Sequence, residues 1–277
     1  MRTGWRDVLA HPRERTTMPR TLRKFLAPLL IGAGLLSGCA AEGPAGRPVS
    51  GLEGPEVTRS LLDAAALAQA QNDHTTAATY YRNVYTRDTG NVRAAVGLMQ
   101  SLRALGDIGQ ARAVAEQAIA AKPDDPTIVG EAGKVKLASG SLQDAVVLLQ
   151  RAIVLDGRDW RSRSALGVAY DRLGDAARAE ETYRGALEVS PDNPVILNNL
   201  ALSRAMANDL KGARELLQRA VAIGRADVRV RQNLALVYAL SGNMAQAEAL
   251  TLQDLPPDLA RETLAYYREL AAQAQNR

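Results

Sequence analysis

The sequence predicts an all-α solenoid: about six helix–turn–helix units of 34 residues, closed by one further helix. Two observations carry this. Written in rows of 34 from Thr58, with starts at Val92, Pro126, Trp160, Pro194 and Val228, the chain needs no gaps, and position 20 reads Ala77, Ala111, Ala145, Ala179, Ala213 and Ala247. Aromatic residues make up only 4% of the chain, with one Phe and two Trp, so the core must rely on small and aliphatic side chains, as close-packed helices do.

The elements divide at 1–38, 39–57, 58–257 and 258–277. Residues 1–38 read as a leader. Arg20, Arg23 and Lys24 precede an apolar run from Phe25 to Leu36, which at 12 residues is short of the ~20 needed to span a bilayer and suits a secretory signal. Residues 1–17 fit no part of such a signal, so Met18 is the expected initiator. The leader holds seven of the 34 basic residues and two of the 30 acids, which leaves the remainder near neutral, with 27 basic and 28 acidic residues. The net charge of +4 therefore belongs to the leader, and nucleic acid loses its support as a partner.

Cys39 is the only cysteine, so no internal disulfide can form. It follows Leu36-Ser37-Gly38, an apolar residue and two small ones. The nearby Gly32, Gly34, Gly38 and Pro28 argue against a buried helix. This stretch resembles the bacterial lipoprotein box. The resemblance implies that Cys39 becomes a lipidated N-terminus, several acyl chains giving stable anchoring. With Ala40 rather than Asp next, it also implies the outer membrane of a Gram-negative cell, with the folded part facing the periplasm. Residues 39–57, with Pro44, Pro48 and Pro55, read as a flexible tether. Its r.m.s. span is about 20–25 Å.

Within residues 58–257, position 15 is Asn72, Gly106, Gly140, Gly174, Asn208 and Gly242, the residue types that best tolerate a left-handed helix end. Position 16 is Asp73, Asp107, Ser141, Asp175, Asp209 and Asn243, side-chain oxygens that can cap the next helix. Position 27 is Val84, then Ala118, Ala152, Ala186 and Ala220, until Asp254 breaks the pattern. The invariant small residues mark the closest helix approach. In residues 258–277, Asp258 reads as an N-cap and Leu259, Leu264, Tyr267, Leu270 and Ala271 share a face, giving a capping helix.

Leu166, Gly167, Tyr170, Gly174, Ala179, Tyr183, Ala186 and Pro191 of row four resemble the tetratricopeptide-repeat family. Arg225 departs from it, standing where Pro is usual. The resemblance implies that the first helix of each repeat lines a concave protein-binding groove. On that basis the groove is lined by Arg161, Asp171 and Arg172, by Asn198, Asn199, Leu202 and Met206, and by Arg229, Gln232, Asn233 and Leu236. Amides at regular spacing can bond both groups of a peptide backbone. Leu202 and Leu236 suit either groove or core. Position 5 lacks the Lys and Asn of a chaperone-type carboxylate clamp.

Nothing in the sequence suggests catalysis, a metal site, a cofactor other than the lipid on Cys39, or a small-molecule substrate. His11 lies in the leader, and His74 reads as a solvated or capping residue at a turn. The segments "NPVILNNLALSRAMANDLKGARELLQRA" and "RVRQNLALVYALSGNMAQAEALTLQDLPP", followed by "LAYYREL", resemble the TadD-like repeat lipoproteins of the Tad/Flp pilus assembly system. The resemblance implies a scaffold that binds the pilus secretin or another assembly component. The alternative is a general periplasmic adaptor for a cell-wall hydrolase, a protease or the outer-membrane protein assembly machinery.

Overall fold

The computed structural model describes residues 54–275 except 225 and 226. The expected leader, Cys39 with its expected lipid, most of the expected tether and Arg225 lie outside these residues. Thirteen helices and no strands are described. The inner helices, first in each repeat, are α1 (Pro55–Ala70), α3 (Val92–Leu105), α5 (Pro126–Ala138), α7 (Trp160–Leu173), α9 (Pro194–Met206) and α11 (Val228–Leu240). The outer helices are α2 (His74–Arg87), α4 (Ile108–Ala121), α6 (Leu142–Leu155), α8 (Ala176–Val189), α10 (Leu210–Ala222) and α12 (Met244–Asp254). The last helix, α13 (Pro257–Gln275), packs on α11 and α12. Helix α1 opens at Pro55, three residues ahead of the first row, because a proline at the first helical position gives up no needed N–H.

The turns repeat with one geometry. All six residues at position 15 have positive φ, from 61° at Asn72 to 82° at Gly140 and Gly174. Beside each, the N–H of position 16 bonds the carbonyl of position 11, as in Asp107 to Leu102 and Asp175 to Tyr170. The side chains of Asp73, Asp107, Asp175 and Asp209 each accept from a backbone N–H of the following helix, while Ser141 and Asn243 make no such bond. His74 is thus not a cap; Asp73 is, and the His74 Nδ1 is buried without a hydrogen-bond partner.

Packing follows the register. The alanines at position 20, and those at position 27, are fully buried. Gly167 lies under the Tyr183 ring, where a Cβ would come within 2.5 Å of the ring. Asp254 occupies a slot that is alanine in four earlier rows, and its side chain is only 4% exposed. It fits because Arg231 of α11 reaches across to both carboxylate oxygens, at 2.9 Å from Nε and 2.5 Å from Nη2, which supplies the pairing a buried charge requires.

At the C-terminal end Asp258 lies inside the first turn of α13 rather than capping it, and pairs with Arg261. The expected face of α13 is otherwise in place: Leu264, Tyr267, Leu270 and Ala271 are buried, and Leu259 is half-buried. The Tyr267 hydroxyl donates to the Gln232 carbonyl at 3.2 Å, so α13 stands where a seventh inner helix would.

Candidate protein-binding groove

The inner helices carry all the expected groove residues, but they bond three of them, Asn198, Asn199 and Asn233, to one another. Asn233 Nδ2 donates to Asn198 Oδ1 at 2.7 Å, Asn198 Nδ2 to Asn199 Oδ1 at 3.4 Å, and Asn199 Nδ2 to Ser164 Oγ at 3.0 Å. This chain crosses α11, α9 and α7. Each carboxamide has a second N–H that the chain does not use. All three asparagines are half-buried.

Other expected residues also have structural partners. Asp171 accepts from Ser203 Oγ at 2.6 Å and from the Tyr183 hydroxyl at 2.9 Å. Burial pushes its carboxyl above the usual range, against the opposing effect of those two bonds. Burial, with the neighbouring Asp171, also raises the Tyr183 phenol well above its ordinary value. Arg172 Nη1 donates to the Leu137 carbonyl at 2.7 Å, tying α7 to α5. Gln232 Nε2 lies 3.5 Å from Asp254 Oδ2.

Leu236 is 6% exposed and belongs to the core with Ala205, Ala239 and Leu240, so it does not line the groove. Leu202 and Met206 are half-buried against that core. Arg161 and Arg229 are exposed at the N-terminal ends of their helices. Arg161 lies over the Trp160 ring at 4.6 Å, and Arg229 pairs with Asp227 at 2.6 Å.

A second set of inner residues escaped the sequence reading. Gln69 Nε2 donates to Gln100 Oε1 at 2.8 Å, and Gln100 Nε2 to Glu131 Oε2 at 3.2 Å. Glu131 is 1% exposed and also receives Arg103 at 2.5 Å and Lys134 at 3.2 Å. Burial raises its carboxyl, but the charges of Lys134 and Arg103 outweigh this and hold it below the usual range. The 31-residue spacing of Gln69, Gln100 and Glu131 was the available signal; a strict 34-residue alignment hides it. Among the described residues, no group of three or more His, Cys, Asp or Glu could hold a metal ion. Among them also, no helix is long and apolar enough to cross a membrane.

A stack of paired helices with a polar inner face is a repeat solenoid of the protein-binding class. Tetratricopeptide-repeat models match residues 68–130, 131–194 and 164–228. The chain belongs to the tetratricopeptide-repeat family. It is 28% identical over 145 residues to the CTR9 homologue of Arabidopsis thaliana, covering 52% of this chain and 13% of that protein. The chain thus spans a small part of that relative's length. Among solved structures, PilW, described as a widely conserved type IV pilus biogenesis factor, superposes with a TM-score of 0.60 at 16% identity, covering 72% of this chain and 93% of PilW. PilF of Pseudomonas aeruginosa gives 0.58 at 16% identity, covering 79% of this chain and 98% of PilF. At such identities the likeness is one of fold.

Proposed function

We propose that this protein is a scaffold that takes a segment of a protein partner into its concave face, held at the outer membrane through a lipid on Cys39 and facing the periplasm. The partner is the secretin, or another assembly component, of a Tad/Flp-type pilus. The observation that carries the groove reading is the half-buried band over α7, α9 and α11, where unused carboxamide N–H groups of Asn198, Asn199 and Asn233 flank Leu202 and Met206. Such a band can bond a peptide backbone while covering its apolar side chains. Supporting the pilus reading are the sequence resemblance in residues 193–270 and the presence of pilus-named proteins among the structural relatives.

The mechanism is positional. A tether at the membrane raises the effective concentration of partners there, and no group is transferred. A pull-down from detergent extracts tests it, comparing the natural chain with the combined Asn198→Ala, Asn199→Ala, Gln232→Ala and Asn233→Ala variant, with melting curves to verify that the variant is folded. Loss of the secretin is expected. Equal recovery of every protein overturns the groove, and recovery of a hydrolase or protease in place of pilus components favours the general adaptor. A Cys39→Ser chain should remain unprocessed and unacylated.

A further inference from the structure

We infer, resting on the groove reading above, that the segment taken into the concave face is acidic. It presents Asp or Glu carboxylates to the inner helices α3, α5 and α7, and apolar side chains to α9. Two properties of the inner face carry this: its charge and its spare hydrogen-bond donors.

Charge is segregated to this face. From Cys39 onward the chain carries 27 basic and 28 acidic residues, yet positions 2, 5, 6, 9, 12 and 13 of the six repeats, those on the inner side, hold seven basic and three acidic ones. Four of the seven, Arg59, Arg93, Arg161 and Arg229, are exposed at position 2 along one rim. The other three, Arg103, Lys134 and Arg172, are half-buried on three consecutive inner helices. Arg103 and Lys134 share the Glu131 carboxylate, and Arg172 bonds the Leu137 carbonyl, one turn along α5 from Lys134. The three acids are all engaged. Asp63 pairs with Arg93 at 2.8 Å, and both oxygens of Glu131 accept bonds. Asp171 is turned the other way from Arg172, towards Tyr183 of α8 and Ser203 of α9. Positive charge is thus left in excess in the middle of the groove, where half-buried surroundings strengthen its pull on an anion.

Hydrogen bonding has the same sense. Lys134 gives Glu131 one of its three N–H groups, and Arg172 gives Leu137 one of its five. The carboxamide oxygens of Gln69, Gln100, Asn198 and Asn199 each accept a bond already, while the second N–H of each is unused. A face with donors to spare is complementary to acceptors, and a carboxylate joins acceptor capacity to negative charge. A segment rich in Lys or Arg would set donors against donors. Lys134 and Leu202 both occupy position 9, two repeats apart, which is about 20 Å or about six residues of extended chain. The acids of the segment therefore stand about six residues from its apolar side chains.

Panning a phage library of random peptides, each long enough to span that distance, on the full chain in non-ionic detergent tests this. Display at the N-terminus of the coat protein leaves no free C-terminal carboxylate, so any acidic preference is for side chains. Enriched peptides are expected to carry an excess of Asp or Glu about six residues from Leu, Ile or Met. A synthetic enriched peptide should bind about tenfold more tightly than its counterpart with Asn and Gln in place of Asp and Glu. The difference should vanish on the Lys134→Gln/Arg172→Gln variant; melting curves verify its fold, and Arg172→Gln alone serves if it melts early. Neutral or basic enriched sequences overturn the inference, as does an acidic excess that the Lys134→Gln/Arg172→Gln variant selects equally. No enrichment also overturns it, the result expected if the face takes lipid or a folded surface. Neutral peptides that are lost on the combined Asn198→Ala, Asn199→Ala, Gln232→Ala and Asn233→Ala variant sink the acidic preference and leave the groove standing. Acidic peptides bound in full by that variant overturn the groove reading, and this inference with it.

Discussion

Asn233 and Asn198, 35 residues apart, are joined by a 2.7 Å hydrogen bond, and the same step recurs on both sides of them. Asn199 reaches Ser164 and Tyr267 reaches Gln232 across the same 35 residues. At these three steps position 6 of one unit thus bonds position 5 of the one before. Replacing Asn198 with Ala leaves the Asn233 donor without its acceptor and removes the donor that Asn199 accepts from. The expected cost is about 1 kcal/mol per broken bond, since these groups are only half-buried. Chemical denaturation should show a lower midpoint for Asn198→Ala than for Thr79→Ala on the exposed outer face.

The fully buried Ala213 has no room for a larger side chain. Ala213→Leu should lower stability by about 1–3 kcal/mol, read as a reduced melting midpoint. An unchanged midpoint would contradict its placement between helices.

Glu131→Ala strands Arg103 and Lys134 without their shared carboxylate, and loss of about 3–5 kcal/mol is expected. The pH dependence has a definite sign. Because the folded state holds this carboxyl below its ordinary value, its stabilising contribution is full above about pH 5 and is lost as pH falls through the folded value. Stability measured from pH 7 down to pH 3 should fall less steeply in Glu131→Gln than in the natural chain.

Asp254→Ala restores the small residue of the earlier rows yet is expected to destabilise, because it removes the carboxylate that Arg231 binds. Adding Arg231→Met should recover part of the loss. The double variant should be less destabilised than the two single effects sum to, which denaturation of all four proteins will measure.

Gly174 adopts a φ of 82°, and Asn208 a φ of 70°. Gly174→Ala should cost about 1–2 kcal/mol, whereas Asn208→Gly should be neutral or stabilising. Paired thermal melts distinguish the two signs.

The fold was legible in the sequence because its constraints are local or repeat at fixed intervals. Asn72 and Gly106 announce a left-handed residue, Asp107 a cap, and Ala145 a close approach, each without knowledge of distant neighbours. The groove was less legible. Leu236 and Leu202 occupy equivalent positions, but only Leu236 enters the core, because α13 covers the end of the array and Tyr267 packs there. Asp258 could be placed in the last helix but not at its start, since Pro256 and Pro257 both permit a beginning. Nor does a row alignment show that Arg172 bonds a carbonyl in the preceding repeat, or that Gln69, Gln100 and Glu131 form one line. Those contacts depend on how far one helix slides past the next.

Two kinds of link therefore hold the inner face. Towards the N-terminus the line through Gln69 and Gln100 ends on one carboxylate held by two cations. Towards the C-terminus a chain of amides, a hydroxyl and a phenol carries no charge at neutral pH, and beside it the Asp171 carboxyl accepts from Ser203 of the next inner helix. In mechanical terms the solenoid is two springs in series with different tuning: acid slackens the first by discharging Glu131, while in the second the uncharged amide chain keeps its stiffness and the Asp171 link answers to acid.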